Sequence, residues 1–448
     1  MIYSILKILC RITIRSYFRR YKVDGKENIP PSGPYIFVAN HPSAFMDPII
    51  VASIVKPQVY FIAAGEYMGK GFKSWFLQKV FHMIPVYRPN TRPGETHKNA
   101  DMFKNCFKHL GKKRSLLIFP EGVSITERKL KPLKTGVSRI ARGAEITYGM
   151  SLDLHVVPVG LNYSNPHQFR SDLYVKIGEP IRAIDFIQNP DAETEEVRKM
   201  TDVIELEMKK TVLHLESDEE ESLMRKVEKV YSSQLRREFD IDFEDQKREF
   251  KMQQDLIHAI DYFKANQKGK VDELSVELDE YFSSLREYGL AHRGLNKQTK
   301  AYGTGLKLSF VLGAPIFLLG FVLNAIPYFI IQMVNKRLKV ELTFQGSFIL
   351  ASGLFIYLLW YLGISIGTSF IPHVKWWSLC VAPVAYVSGI YALVYSAAYQ
   401  RFRDRKEAKR YSKKDEEGVQ GLKESRDNII AKLESFKYEY LELFGGEN

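Results

Sequence analysis

The sequence predicts an α/β domain with a mixed sheet flanked by helices, then a helical region, then a membrane-embedded helical part. Three observations predict it. Across residues 22–184, short runs of β-branched and aromatic residues alternate with helical stretches, as in strands joined by crossover helices. From residue 193 to 302 the chain becomes rich in charge and poor in glycine and proline, which favours helices. Residues 308–334, 342–374 and 376–400 then contain no Asp, Glu, Lys or Arg, and each exceeds the ~20 apolar residues that a bilayer crossing needs.

At 448 residues the chain exceeds one ordinary domain. Its mean hydropathy of -0.20 averages a polar front with an apolar rear. The net charge of +12 gathers beside the apolar runs and at the N-terminus, and no nucleic-acid-binding motif accompanies it. Nucleic acid is therefore excluded as the expected partner, and anionic lipid head groups and phosphorylated substrates take its place. Cys10, Cys106 and Cys380 lie far apart, which gives neither a disulfide framework nor a zinc site. No oligomeric state is specified.

Taken in order, residues 1–21 carry Lys7, Arg11, Arg15 and Arg19 at steps of four, so the basic side chains share one helical face and leave the opposite face apolar. This reads as an amphipathic helix on the membrane surface; the same periodicity also fits a helix packed on the domain. A signal peptide is excluded, because charges interrupt every candidate apolar core. Residues 22–192 form the expected catalytic domain, with strands at 35–39, 59–63, 83–87, 115–119, 156–161 and 173–177. Residues 193–302 form a charged helical region in which Leu274, Leu278, Tyr281 and Leu285 line one stripe. The acidic run 216–222 is a turn or helix start, since it lacks the glycine and spaced oxygens of a calcium loop.

Within 303–400, Pro315, Gly320 and Pro327 interrupt the first apolar run, and basic residues flank it on both sides. Because positive residues prefer the cytoplasmic face, residues 308–334 are expected to dip in and return. Crossings are then expected at about 346–369 and 377–398, with a basic cytoplasmic tail at 401–448; a three-pass arrangement is the alternative. The catalytic domain is placed at the cytoplasmic face, of a bacterial inner membrane or an endoplasmic reticulum.

The chemistry centres on Val38-Ala-Asn-His-Pro-Ser-Ala-Phe-Met-Asp-Pro48. His41 leaves the end of a strand on a loop, and Asp47 follows six positions on. An imidazole with one nitrogen free and the other held by a carboxylate is a general base. Asp47 is also expected to cap the following helix, with Pro48 at its first position. A second strand ends in Phe119-Pro-Glu-Gly122, which puts Glu121 and Gly122 beyond a strand end as well. Ser43 lacks the glycine-flanked turn of a nucleophilic serine and is set aside.

Asn40-His-Pro-Ser-Ala-Phe-Met-Asp-Pro48, Ile84-Pro-Val-Tyr-Arg88, Phe119-Pro-Glu-Gly122 and Val157-Pro-Val-Gly160 follow one another in the order and spacing of the four sequence blocks of the glycerolipid acyltransferase family, which the first two-fifths of the chain therefore resembles. The resemblance implies transfer of a fatty acyl group from a thioester to a hydroxyl of a glycerol phosphate. It implies no cofactor, only a co-substrate on coenzyme A or acyl carrier protein. His41 and Asp47 would then be catalytic. Arg88 would clamp the acceptor phosphate with Lys131 and Lys134 in support, Glu121 would bind acceptor hydroxyls or orient Arg88, Gly122 would let the backbone approach, and Asn40 with nearby N–H groups would meet the oxyanion.

Two departures stand out. Five residues separate His41 from Asp47, one more than the common form, and Val123-Ser124 stands where the third block usually continues Thr-Arg. Both are similar to the fungal branch that acylates glycerol-3-phosphate and dihydroxyacetone phosphate, and so favour the sn-1 hydroxyl. The alternatives are acylation of 1-acylglycerol-3-phosphate or another lysolipid or aminolipid, and a non-catalytic membrane scaffold on the same fold.

Overall fold

Residues 35–39 set the architecture. Tyr35, Phe37 and Ala39 alternate with Ile36 and Val38, and all five are buried, so this strand needs cover on both faces. In the computed structural model, which describes residues 2–56, 58–87, 94, 97, 99–189, 192–295, 304–373 and 375–444, it lies at the centre of an eight-stranded sheet.

The elements run α1 (Ile2–Tyr17), β1 (Arg20–Asp24), β2 (Tyr35–Ala39), α2 (Met46–Ile54), β3 (Val59–Ala64), α3 (Gly71–Lys79), β4 (Met83–Val86), α4 (Asn99–Gly111), β5 (Ser115–Ile118), α5 (Gly136–Thr147), β6 (His155–Tyr163), β7 (Asp172–Ile177), β8 (Ile181–Arg182) and α6 (Glu193–Lys209). The strand order is β1-β7-β6-β2-β5-β3-β4, with β8 paired to β6. Neighbours are parallel except where β6 meets β7 and β8. One face packs Ile36 and Val38 against α4, α5 and α6. The other packs Phe37 and Ala39 against Ile14, Tyr17, Ile50 and Val51 of α1 and α2. Because Val38 pairs with Ile118, the loops leaving β2 and β5 emerge side by side at the carboxyl edge of the sheet.

This unit comprises residues 1–214 together with 335–354, and so extends beyond the expected 22–192 at both ends. α6 joins it because Val197, Met200, Ile204 and Met208 fall on one stripe that is buried against the sheet, beneath a charged outer face. α1 joins it too, with Ile14 and Tyr17 buried in the core and two of its basic side chains reaching back to the domain. The Lys7 Nζ donates to Val55 O at 2.5 Å and the Arg11 Nε to Ser53 O at 2.7 Å. These carbonyls belong to the C-terminal end of α2, where cations are favoured. The surface helix expected at 1–21 is thus docked on the domain, with Ile8 and Ile12 left on its outer side.

The second unit comprises residues 215–334 and 355–448. α7 (Asp218–Glu238) starts in the acidic run with a capping box between Ser217 and Glu220. α8 (Gln246–Asn266) and α9 (Lys268–Glu287) follow, and Leu274, Leu278, Tyr281 and Leu285 are all buried on α9. α10 (Thr304–Leu338), α11 (Leu342–Ser369) and α12 (Ser378–Ser412) contain the apolar runs, and all three are long and apolar enough to cross a membrane.

The dip-and-return expected of 308–334 is not found. α10 is one helix of 35 residues that runs through Pro315 and Pro327. Pro327 cannot donate to the Leu323 carbonyl, and the Trp360 indole N–H donates to that carbonyl instead, at 2.7 Å, so the helix continues. The expected tail at 401–448 is also corrected. α12 extends through its basic residues, and α13 (Glu416–Phe444) buries Val419, Leu422, Ile429 and Leu433 in the core it shares with α7, α8 and α9.

One ion-pair cluster fixes the first strand. Asp172 opens β7, which pairs with β1, and receives Arg19 at 2.6 Å and Arg20 at 2.8 Å. Burial works to raise the Asp172 carboxyl, but hydrogen bonds and charge from Arg19 and Arg20 outweigh it and hold the group below its ordinary value. A depressed carboxyl stabilises the fold above its unfolded value of about 3.9 and loses that contribution as pH falls through the folded value. Asp172→Ala should therefore destabilise the catalytic unit by about 3 kcal/mol at neutral pH. In denaturant unfolding of the solubilised protein, the gap from wild type should close as pH falls below about 4.

Candidate active site

The loop after β2 is built around a buried carboxylate. Asp47 has no exposed surface. Its Oδ2 accepts from His41 Nδ1 at 2.8 Å and from the Ser43 N–H at 2.8 Å, and its Oδ1 accepts from the Tyr163 hydroxyl at 2.6 Å. The helix cap expected of Asp47 is not formed. α2 starts at Met46, and Asp47, in its first turn, points back toward the histidine. The His41 ring stacks on Phe119 with centroids 3.9 Å apart, and Nε2 has no protein partner among the described residues. Nδ1 is thus committed and Nε2 is the open nitrogen. Ser43 is wholly buried, so its hydroxyl is not presented to a substrate.

Asn40 has a different task from the expected oxyanion contact. Its Nδ2 donates to Leu161 O at 3.1 Å and its Oδ1 accepts from Leu161 N at 2.7 Å, which clasps the end of β2 to β6. Glu121 is likewise a clasp. Its Oε1 accepts from the His41 N–H at 3.0 Å and its Oε2 from the Lys131 N–H at 3.1 Å. Burial pushes the Glu121 carboxyl above its ordinary value, against the pull of those two N–H groups. Three further bonds lace the two loops together: Ile125 N to His41 O at 3.1 Å, Thr126 Oγ1 to Pro42 O at 2.7 Å, and Ala44 N to Ser124 Oγ at 2.9 Å.

The two lysines separate. The Lys131 ammonium is paired with Glu127 at 2.5 Å. That of Lys134 has no carboxylate partner among the described residues and lies over Gly122, where a Cβ would collide with it. Gly122 also has φ +70°, so both its backbone and its surroundings call for glycine. Arg88 lies outside the described residues. The chain one residue before it is held by Asn99, whose Oδ1 accepts from Tyr87 N at 2.9 Å and whose Nδ2 donates to Tyr87 O at 2.7 Å. Tyr163, Phe119 and Asn99 were not singled out by the sequence, and of these only Phe119 stood inside a block that was; Ser124 was noted only as a departure that follows the third block.

Replacing Tyr163 by Phe removes one donor from a buried carboxylate without changing shape. Turnover should fall about tenfold with the fold intact. Asp47→Asn, which disfavours the tautomer with Nε2 open, should lower kcat by about 10³-fold or more. Steady-state kinetics with circular dichroism on the same samples checks both.

Comparison with known proteins finds relatives for part of the chain. Residues 20–162 match the Acyltransferase family model. Glycerol-3-phosphate O-acyltransferase 1 of Saccharomyces cerevisiae is 22% identical over 69% of this chain and 51% of its own length. Glycerol-3-phosphate O-acyltransferase 2 of the same yeast is 38% identical over 20% of this chain and 12% of its own. The chain therefore spans about half the length of the first of these relatives and a smaller part of the second. The crystal structure of a 1-acyl-sn-glycerophosphate acyltransferase from Thermotoga maritima is 19% identical over 46% of this chain and 78% of that one, and its TM-score of 0.32 is too low to equate the two folds. Residues 20–162 thus match the Acyltransferase family model, and the chain is similar in sequence, over part of its length, to the yeast glycerol-3-phosphate O-acyltransferases.

Proposed function

We propose that the chain is a membrane-bound acyltransferase that moves a fatty acyl group from a thioester donor to the sn-1 hydroxyl of glycerol-3-phosphate or dihydroxyacetone phosphate. The observation that carries this reading is the orientation of His41. Its Nδ1 is fixed by an Asp47 that itself has three donors, and its Nε2 has no hydrogen-bond partner among the described residues. As the acceptor oxygen attacks the thioester carbonyl, Nε2 takes the hydroxyl proton. When the C–S bond breaks, the imidazolium returns that proton to the leaving thiolate. Asp47 stabilises the imidazolium in between, and no covalent enzyme intermediate is required.

The acceptor phosphate is met by Lys134 and by Arg88. Lys134 supports this role by its ammonium over Gly122, which has no carboxylate partner among the described residues, and Arg88 by its position in the sequence one residue after Tyr87, which Asn99 clasps. Lys131 acts through its backbone N–H on Glu121. The acyl chain has apolar company in Phe45, Val123 and Ile125, which are exposed on the two laced loops. The donor is carried on coenzyme A or acyl carrier protein, with no cofactor. The three apolar helices support a membrane location, and the catalytic unit is taken to work at its cytoplasmic face.

Purified full-length protein given a labelled acyl thioester should label glycerol-3-phosphate or dihydroxyacetone phosphate. Label entering only 1-acylglycerol-3-phosphate would reverse the acceptor assignment. His41→Ala should lower transfer by at least about 10³-fold, and unchanged transfer would remove His41 as the base. Lys134→Ala should raise the KM for the phosphorylated acceptor about tenfold and leave that for the acyl donor unchanged.

A further inference from the structure

The loop from His41 to Asp47 holds one residue more than the common form, yet the two side chains still meet at 2.8 Å. The surplus is absorbed at Ala44, whose φ of +37° lies in the left-handed region that a residue with a Cβ rarely adopts. A conformation of this kind persists only when its surroundings over-determine it. Two hydroxyls from outside the loop do so. Ser124 Oγ accepts from the Ala44 N–H at 2.9 Å. Ser347, near the start of α11, both donates to Ser43 O at 2.9 Å and accepts from the Met46 N–H at 2.9 Å, so it brackets Ala44 on either side.

The approach of α11 is itself specified. A Cβ at Gly346 would collide with Pro166 O and lie 2.7 Å from the Met46 methyl, so only glycine brings the helix close enough for Ser347 to reach. Phe344 packs on Phe45, and Leu350 is buried beside the sheet.

We propose that Ser124 and Ser347 are positioning residues that hold the longer loop in the shape that joins His41 to Asp47, so that the two departures from the common blocks are one device and the start of an apolar helix completes it. The inference rests on the proposed function for the identity of the base, and on the loop geometry for the rest. Neither serine touches the open nitrogen of His41. Each acts through the backbone on either side of Ala44, so their loss changes how often the pair is assembled and leaves substrate binding alone.

In the full-length protein, Ser124→Ala and Ser347→Ala should each lower kcat about tenfold with both KM values unchanged. Ser124→Thr keeps a hydroxyl and should restore the rate. Gly346→Ala, which pushes α11 away, should match Ser347→Ala. Ala44→Gly removes the conformational penalty, so Ser124→Ala should cost less than threefold in that background. Hydrogen–deuterium exchange of the peptide spanning 41–47 should accelerate in both serine variants, a readout that needs no turnover. Wild-type kcat in both alanine variants, or a change confined to KM, overturns the inference while the acyltransfer reading stands. If the wild type transfers no acyl group, that reading fails, and unaltered exchange in Ser347→Ala then overturns the clamp on its own.

Discussion

A carboxylate with no exposed surface is tenable only if donors replace the water it gave up, and Asp47 has three from three places. His41 comes from the end of β2, the Ser43 N–H from the turn that follows, and Tyr163 from the end of β6. Satisfying one buried charge therefore fixes a strand end, a helix start and a neighbouring strand together. The imidazole inherits its orientation from this arrangement, because the carboxylate it meets is already held from two other sides, at Oδ2 by the Ser43 N–H and at Oδ1 by Tyr163. The nearby helix N-terminus adds a favourable field for the charge.

The polar residues in and beside the sequence blocks mostly build backbone. Asn40 binds the main chain of β6, Glu121 binds two main-chain N–H groups, and Asn99 binds both main-chain groups of Tyr87. Side chains that look like ligands for a substrate are spent on shaping the loops. Among the described residues, the His41 Nε2 and the Lys134 ammonium over Gly122 are left without such a structural partner. A site whose loops are tied by their own hydrogen bonds needs little rearrangement when substrate arrives.

Residue pattern reveals what is local and hides what depends on closure. Strands buried on both faces, such as β2 and β5, announce themselves as unbroken apolar runs. β1 does not, since Arg20 and Lys22 interrupt it, and its stability comes from Asp172 far along the chain. α6 and α13 read as charged because their outer faces dominate the composition, although each buries a clean stripe. Asp47 followed by Pro48 obeys the local rule for a helix cap, and the tertiary demand of His41 overrides it. Tyr163 and Ser347 stand 116 and 304 residues from the loop atoms they bind, a distance over which spacing carries no signal.

The indole of Trp360 against the Leu323 carbonyl bears on how the chain is assembled. A proline-containing helix with a bare acceptor is poorly suited to hydrocarbon by itself. Its remedy lies on the following helix, about one connecting turn and several coils later in synthesis. The two helices therefore satisfy that carbonyl only as a pair, and neither alone meets the demands of an apolar setting.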